Sequence, residues 1–281
     1  MALASWLVRA RVLAQPILGA PVRRLRRELQ WCDPRLDFRV RHAPVALPYV
    51  EARHATPLFR PLLGLDPALQ GNKVVNLRIA AARLDGLVLE SGQRLSFWRE
   101  VGRPSYVRGF ADGLVLDHGA LRSGVGGGLC QMTNLLYWMT VHTRLDVVER
   151  WRHSYDVFPD SGRTQPFGSG ATCAWPALDL QVQNRTHSRY RLSLEVTETE
   201  LRGRWTCDEA FTGNFEVYER AHVVTHEGPG VYVRHNQLWR RELDAGCRVV
   251  RDSPLTENHA LLMYEPFLGV GDNAASSTES C

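Results

Sequence analysis

Apolar positions along this 281-residue chain follow two periods, one near 3.6 and one of 2, and the switches between them mark out the elements. In residues 72–84, Val75, Ile79, Ala82 and Leu84, with Leu77 and Ala80 beside them, recur at helical spacing until Asp85-Gly86. Residues 87–89 read as a short strand, and Ser91-Gly92 as a turn into Leu95-Ser96-Phe97-Trp98. Leu114-Val115-Leu116 reads as a buried strand. Past Cys130, the residues Met132, Leu135, Leu136 and Met139 fall at i, i+3, i+4 and i+7, one face of a helix. Residues 145–151 then read as a strand with His153 at its end, and residues 178–183 and 189–197 alternate as half-buried strands do. Residues 215–224 and 231–238 add further strands.

This order predicts an α+β fold, with a mixed or antiparallel sheet, a central helix starting at Cys130 and an N-terminal helical extension. Four segments are expected. Residues 1–55 form a basic helical and irregular extension, 56–205 the main domain, 206–270 a β-rich extension, and 271–281 a small, polar, disordered tail. Within the first segment, residues 1–30 read as helical with breaks at Pro16 and Pro21, while residues 42–67 show little periodicity and read as a wrapping segment.

Composition narrows the class. A hydrophobic content of 44% and a charged content of 23% suit an ordinary globular chain and exclude a fibrous or largely disordered one. The formal charge of +4 is uneven: residues 1–41 hold nine arginines against Glu28, Asp33 and Asp37, a net of +6, which leaves −2 for the rest. Such a leader suits an anionic membrane surface, lying in it as an interfacial helix with Trp6, Leu7, Leu13 and Ile17 on one side, or else packs on the protein's own body. No nucleic-acid motif accompanies the basic residues, so nucleic acid is not an expected partner. Arg9 and Arg11 interrupt the apolar N-terminus, which argues against a secretory signal or a spanning helix, and a cytoplasmic protein peripheral to the membrane is expected. The six cysteines lie far apart with no C-x-x-C pair, so thiols are expected in place of a disulfide framework.

Candidate chemistry centres on Gly124-Val125-Gly126-Gly127-Gly128-Leu129-Cys130-Gln131. A thiol at a helix start meets unpaired N–H groups and the positive end of the helix dipole, which favour the thiolate. Cys130 is the candidate nucleophile, His153 the base, and Asp179 the acid that would hold the imidazole in one tautomer. Gly126, Gly127 and Gly128 would let a substrate approach the backbone, and the N–H groups of residues 129–131 with the Gln131 side chain would serve as oxyanion donors. A dinucleotide fingerprint fails because Leu129 stands where glycine is required, and a P-loop lacks its Gly-Lys-Ser/Thr. A zinc site from Cys130, His153, Cys173 and Cys207 has the right atoms without ligand spacing, so neither metal nor cofactor is expected.

These residues resemble the VanW family. The resemblance runs through Asn72-Lys73, Asn76-Leu77, Leu84-Asp85-Gly86-Leu87, Ser96-Phe97-Trp98, the signature Gly126-Gly127-Gly128-Leu129-Cys130-Gln131, and then His153, Ala171-Thr172, Asp179-Leu180 and Asn184. It implies a cysteine-dependent acyl transferase or hydrolase, L,D-transpeptidase-like, acting on peptidoglycan-type peptides or their precursors, with the motif cysteine mapping to Cys130 and the matching histidine to His153. The other reading the family implies is a non-catalytic accessory module of the cell envelope or of glycopeptide-antibiotic resistance. One departure stands out: members of the family often carry an acid where this chain has Gly170.

Overall fold

The structure is a computed structural model that describes residues 19–59, 67–117, 120–152, 154–157 and 165–264. The first helix, α1 (Gly19–Trp31), leads into β1 (Arg41–His42) and β2 (Tyr49–Pro57). Helix α2 (Pro67–Leu84) is followed by β3 (Leu87–Leu89), β4 (Arg94–Ser96) and the short α3 (Phe97–Val101). A hairpin of β5 (Asp112–Asp117) and β6 (Ala120–Val125) runs into α4 (Cys130–Thr140), then β7 (Asp146–Glu149), β8 (Tyr155–Asp156) and β9 (Gln181–Gln183). β10 (Tyr190–Val196), β11 (Glu200–Cys207), β12 (Asn214–Gly228), β13 (Val231–Leu243) and β14 (Val249–Leu262) complete the described chain. The fold is α+β, and every strand pair is antiparallel except β14 with β8.

The central sheet has the order β1-β3-β10-β11-β2. Alternation builds it: Tyr190, Leu192 and Leu194 of β10 and Leu201 and Trp205 of β11 turn inward, and α4 lays Met132, Leu135, Leu136 and Met139, all fully buried, across β2 and β11. A three-stranded sheet, β4-β9-β7, and a long C-terminal meander, β12-β13-β14-β8, flank this core.

Three sequence expectations change. The wrapping segment contains β2, a nine-residue edge strand whose weak alternation reflects a strand half open to solvent. The strand around Leu114 is not buried: Val115 is exposed and its neighbours half-buried, because it belongs to a two-stranded hairpin. Helix α2 is also turned relative to the apolar pattern, with Val75 and Ala82 outward and Leu77, Ala80, Ala81 and Leu84 inward. That rotation carries Asn76 into the interior, where its amide serves the hairpin. The expected tail, residues 271–281, and residues 1–18 of the leader lie outside the described residues.

Helix α1 packs on the body rather than standing away from it. Arg27, 8% exposed, donates from its two Nη atoms to Glu149 at 2.7 and 2.6 Å, from Nη2 also to the Ala177 carbonyl at 2.9 Å, and from Nε to the Pro176 carbonyl at 3.1 Å. Its guanidinium is 3.6 Å from Asp179. The planar fork suits two acids and two carbonyls at once, a task an ammonium group performs poorly. Replacing Arg27 with Ala leaves Glu149 and Asp179 without their cation, so a loss of about 3 kcal/mol is expected in urea unfolding, with Arg27→Lys recovering only part of it.

Candidate functional site

The glycine loop is where two stretches of backbone touch. A Cβ on Gly127 would lie 2.1 Å from the carbonyl carbon of Gly113, and one on Gly113 would lie 2.5 Å from the Gly127 oxygen, so neither position tolerates a side chain. Gly126 and Gly128 take φ of 78° and 89°, which reverses the chain twice between β6 and α4. Asn76, fully buried, clamps the arrangement by donating to the Ala111 and Gly127 carbonyls at 2.9 Å each and accepting from Ala111 N–H at 2.8 Å. Asn72 adds a bond to the Asp112 carbonyl at 2.8 Å, and Lys73 reaches the Leu58 carbonyl.

This loop delivers Cys130 as the first residue of α4, in the half-buried class. Its Sγ lies 3.4 Å from Thr172 Oγ1, 3.7 Å from the Cys173 carbonyl and 3.9 Å from Cys173 Sγ. The facing segment is held rigidly. Thr133 donates to the Ala171 carbonyl at 2.6 Å, Asn134 Oδ1 accepts from Ala171 N–H at 2.7 Å, and Thr172 N–H donates to the Trp151 carbonyl at 2.8 Å. A Cβ on residue 170 would stand 2.5 Å from Asn134 Oδ1, so the amide occupies the space that an acid at Gly170 would need.

The loop amides of Gly126, Gly127 and Gly128 donate to the carbonyls of Ala111, Gly124 and Leu114, and Gln131 N–H donates to Gly128. Gln131 Nε2 donates to Thr56 Oγ1 at 2.9 Å and to the Pro57 carbonyl at 2.8 Å. Both of its amide hydrogens therefore tie the start of α4 to the end of β2. Asp179 is fully buried and accepts from Ser96 Oγ at 2.6 Å, from the N–H groups of Trp98 and Leu180 at 3.0 Å each, and from Gln181 Nε2 at 3.2 Å. Burial pushes its carboxyl up to about 6, a rise that the Ser96 hydroxyl, the Trp98 N–H and Arg27 hold back. Its described partners are a serine, two backbone amides, a glutamine and an arginine. His153 lies outside the described residues, but the Trp151–Thr172 bridge brings the chain just before it alongside the strip that faces Cys130.

Sequence reasoning passed over Thr172 as part of the resemblance and treated Cys173 only as a possible zinc ligand. Of that zinc set, Cys207 lies elsewhere, against Glu51 at 3.4 Å and the Glu209 carbonyl at 3.0 Å. Burial pushes the Cys173 thiol well above its ordinary range, and the neighbouring Cys130 adds to the rise.

Trp151, the bridge partner of Thr172, also lines a cavity of about 500 Å³, together with Tyr137, Asp146, Arg150, Arg152 and Arg240 among others. Arg150 donates to the Gly170 carbonyl at 2.8 and 2.6 Å, with its guanidinium 4.6 Å from the Tyr137 ring centre. Arg240 sits 3.9 Å over the Phe215 ring and reaches the Thr143 carbonyl, while its buried Nε has no partner among the described residues. Arg152 donates to the Glu257 carbonyl at 2.6 Å, and Asp146 pairs outward with Arg185 at 3.4 Å. Burial pulls all three cavity guanidinium pKa values down, as expected of cations partly stripped of water.

Residues 72–206 match the family model described as VanW like protein. The chain is 32% identical over 209 residues, 74% of its length, to the vancomycin B-type resistance protein VanW of Enterococcus faecalis (strain ATCC 700802 / V583), of which it covers 76%. It is 29% identical over 110 residues to the uncharacterized protein YoaR of Bacillus subtilis (strain 168), a match that spans 39% of this chain and 35% of that protein. No solved structure matches. A buried Asn76 clamp, a loop of glycines that admits no side chain and a cysteine opening α4 all fall inside the matched residues, and the chain belongs to the VanW family.

Proposed function

We propose that this protein is a cysteine-dependent acyl transferase or hydrolase, L,D-transpeptidase-like, acting on peptidoglycan-type peptides or their precursors. The observation that carries the reading is the half-buried Cys130 at the first position of α4, its sulfur 3.4 Å from the Thr172 hydroxyl. In this mechanism the Cys130 thiolate, favoured by the helix dipole, attacks the peptide carbonyl. His153 returns the proton to the departing amine, and water or a second amine then releases the acyl group. The N–H groups of Leu129 and Cys130, at the start of α4, are the oxyanion donors. Gly126, Gly127, Gly128 and Gln131 position that turn, and Asp179 braces the β9 side of the site through Ser96 and Trp98.

Charge supports the substrate class. Peptidoglycan-type peptides are rich in carboxylates, and the cavity beside residue 151 sets Arg150, Arg152 and Arg240 against one acid, Asp146, which also pairs with Arg185. Vancomycin-resistance membership supports an envelope setting for such a substrate. No helix of the described residues is long and apolar enough to cross a membrane. Helix α1 presents Val22, Leu25 and Leu29, 41%, 56% and 61% exposed, beside Arg23, Arg24 and Arg26, which suits a contact with an anionic lipid surface.

Incubation with a muropeptide or an acyl-thiol probe should give a covalent adduct in the intact mass, located on Cys130 and missing in Cys130→Ala. Equal adducts in the two proteins would remove the acyl-enzyme. Arg240→Gln should raise KM for a carboxylate-bearing peptide roughly tenfold, a loss of about 1.4 kcal/mol, with kcat little changed. An unchanged KM detaches the cavity from substrate binding. Co-sedimentation with vesicles containing anionic lipid should fall several-fold in a Leu25→Glu, Leu29→Glu double variant, and equal binding would dismiss α1 as the contact.

A further inference from the structure

Cys130 and Cys173 come from different elements, 43 positions apart in sequence, yet their sulfurs are 3.9 Å apart. Both residues are half-buried, neither wholly closed to solvent. A disulfide requires about 2.05 Å, so the sulfurs must close by a little under 2 Å, within the reach of a side-chain torsion at each end. The facing strip is fixed on its far side by the Thr133–Ala171 and Asn134–Ala171 bonds and by the Trp151–Thr172 bridge, which keeps Cys173 beside Cys130. Cys207 is occupied elsewhere, and Cys32 and Cys247 are exposed.

We infer that Cys130 and Cys173 form a peroxide-modifiable dithiol, in which Cys173 converts an oxidised Cys130 into a reversible disulfide. In the first step the Cys130 sulfur attacks one oxygen of hydrogen peroxide or an organic hydroperoxide. The O–O bond breaks, the sulfur is oxidised to the sulfenic acid, and water or an alcohol leaves. In the second step the Cys173 sulfur attacks the Cys130 sulfur. The S–O bond breaks, an S–S bond forms, and the hydroxyl departs as water with the Cys173 proton. Two thiols and one peroxide give one disulfide and two molecules of water, or water and an alcohol. The Cys173 thiol, its pKa raised by burial, is little ionised and so a weaker target for solvent oxidants than a thiolate, but it stands beside Cys130 for this intramolecular attack. The disulfide it forms carries no charge that burial would penalise.

The consequence is protection. A cysteine open to substrate is open to oxidants, and without a partner its sulfenic acid proceeds to the irreversible sulfinic and sulfonic acids. The inference uses only the contact of the two sulfurs and solvent access to Cys130, so it stands or falls separately from acyl transfer.

The test treats the full-length protein with sub-stoichiometric to modest excess hydrogen peroxide and reads intact mass and digested peptides. The wild type should lose about 2 Da, give a cross-linked peptide pair containing Cys130 and Cys173, and recover fully with dithiothreitol. Cys173→Ala should instead gain about 32 and then 48 Da at Cys130, without recovery. Should Cys173→Ala fold poorly, Cys173→Ser keeps the size of the side chain and is read in the same way. Irreversible oxidation of Cys130 at the same rate in wild type and variant overturns the inference, as does cross-linking of Cys130 to Cys32 or Cys247. A disulfide that forms in a protein giving no acyl adduct would sustain this inference while removing the acyl-transfer reading.

Discussion

Everything at the site depends on the meeting of two backbone segments at Gly113 and Gly127, too close for a Cβ on either. Contact between bare peptide groups is costly unless their polar atoms find partners. The Asn76 amide supplies them from the interior of α2, with two donated bonds and one accepted. The hairpin, the glycine loop and the first turn of α4 are thereby one rigid unit. Cys130 takes its position from that unit and from the Gln131 bonds to Thr56 and Pro57.

A second network does the same for the opposite wall. Asp179 accepts four hydrogen bonds in full burial while Arg27 stands nearby, so the carboxylate joins α1, α3 and β9 at one point. Ser96 is shared between that carboxylate and the cap of α3, and it also accepts from Trp31 Nε1 at 3.0 Å. Buried charge is tolerable here because each oxygen is matched by donors, and the raised carboxyl pKa is the residue of the desolvation those donors do not fully offset.

Periodicity made the amphipathic elements legible in the sequence. The face Met132, Leu135, Leu136, Met139 and the alternation of β10 are direct expressions of one-sided burial. β2 escaped notice because an edge strand half open to water has no strict alternation, and the facing of α2 was misjudged because a buried asparagine looks polar in a pattern that assumes polar means outside. The glycine loop announced a backbone constraint, and the structure supplies its partner, Gly113, from 14 positions earlier. Cys173 was invisible as a neighbour of Cys130 because nothing in spacing reports a contact across 43 positions. The order of histidine and acid suggested a triad; the described partners of Asp179 are scaffold groups, and His153 lies outside the described residues.

The order of the central sheet bears on where this family's domain begins. β3, β10 and all of β11 but its last residue lie within the residues matched by the family model, but both edges, β1 and β2, are contributed from before residue 72. The matched stretch taken alone would expose the open rims of two strands, and α4 would lose the strand end to which Gln131 anchors it. In this chain the block matched by the family model and the central sheet it builds do not coincide, and the sheet reaches upstream to residue 41.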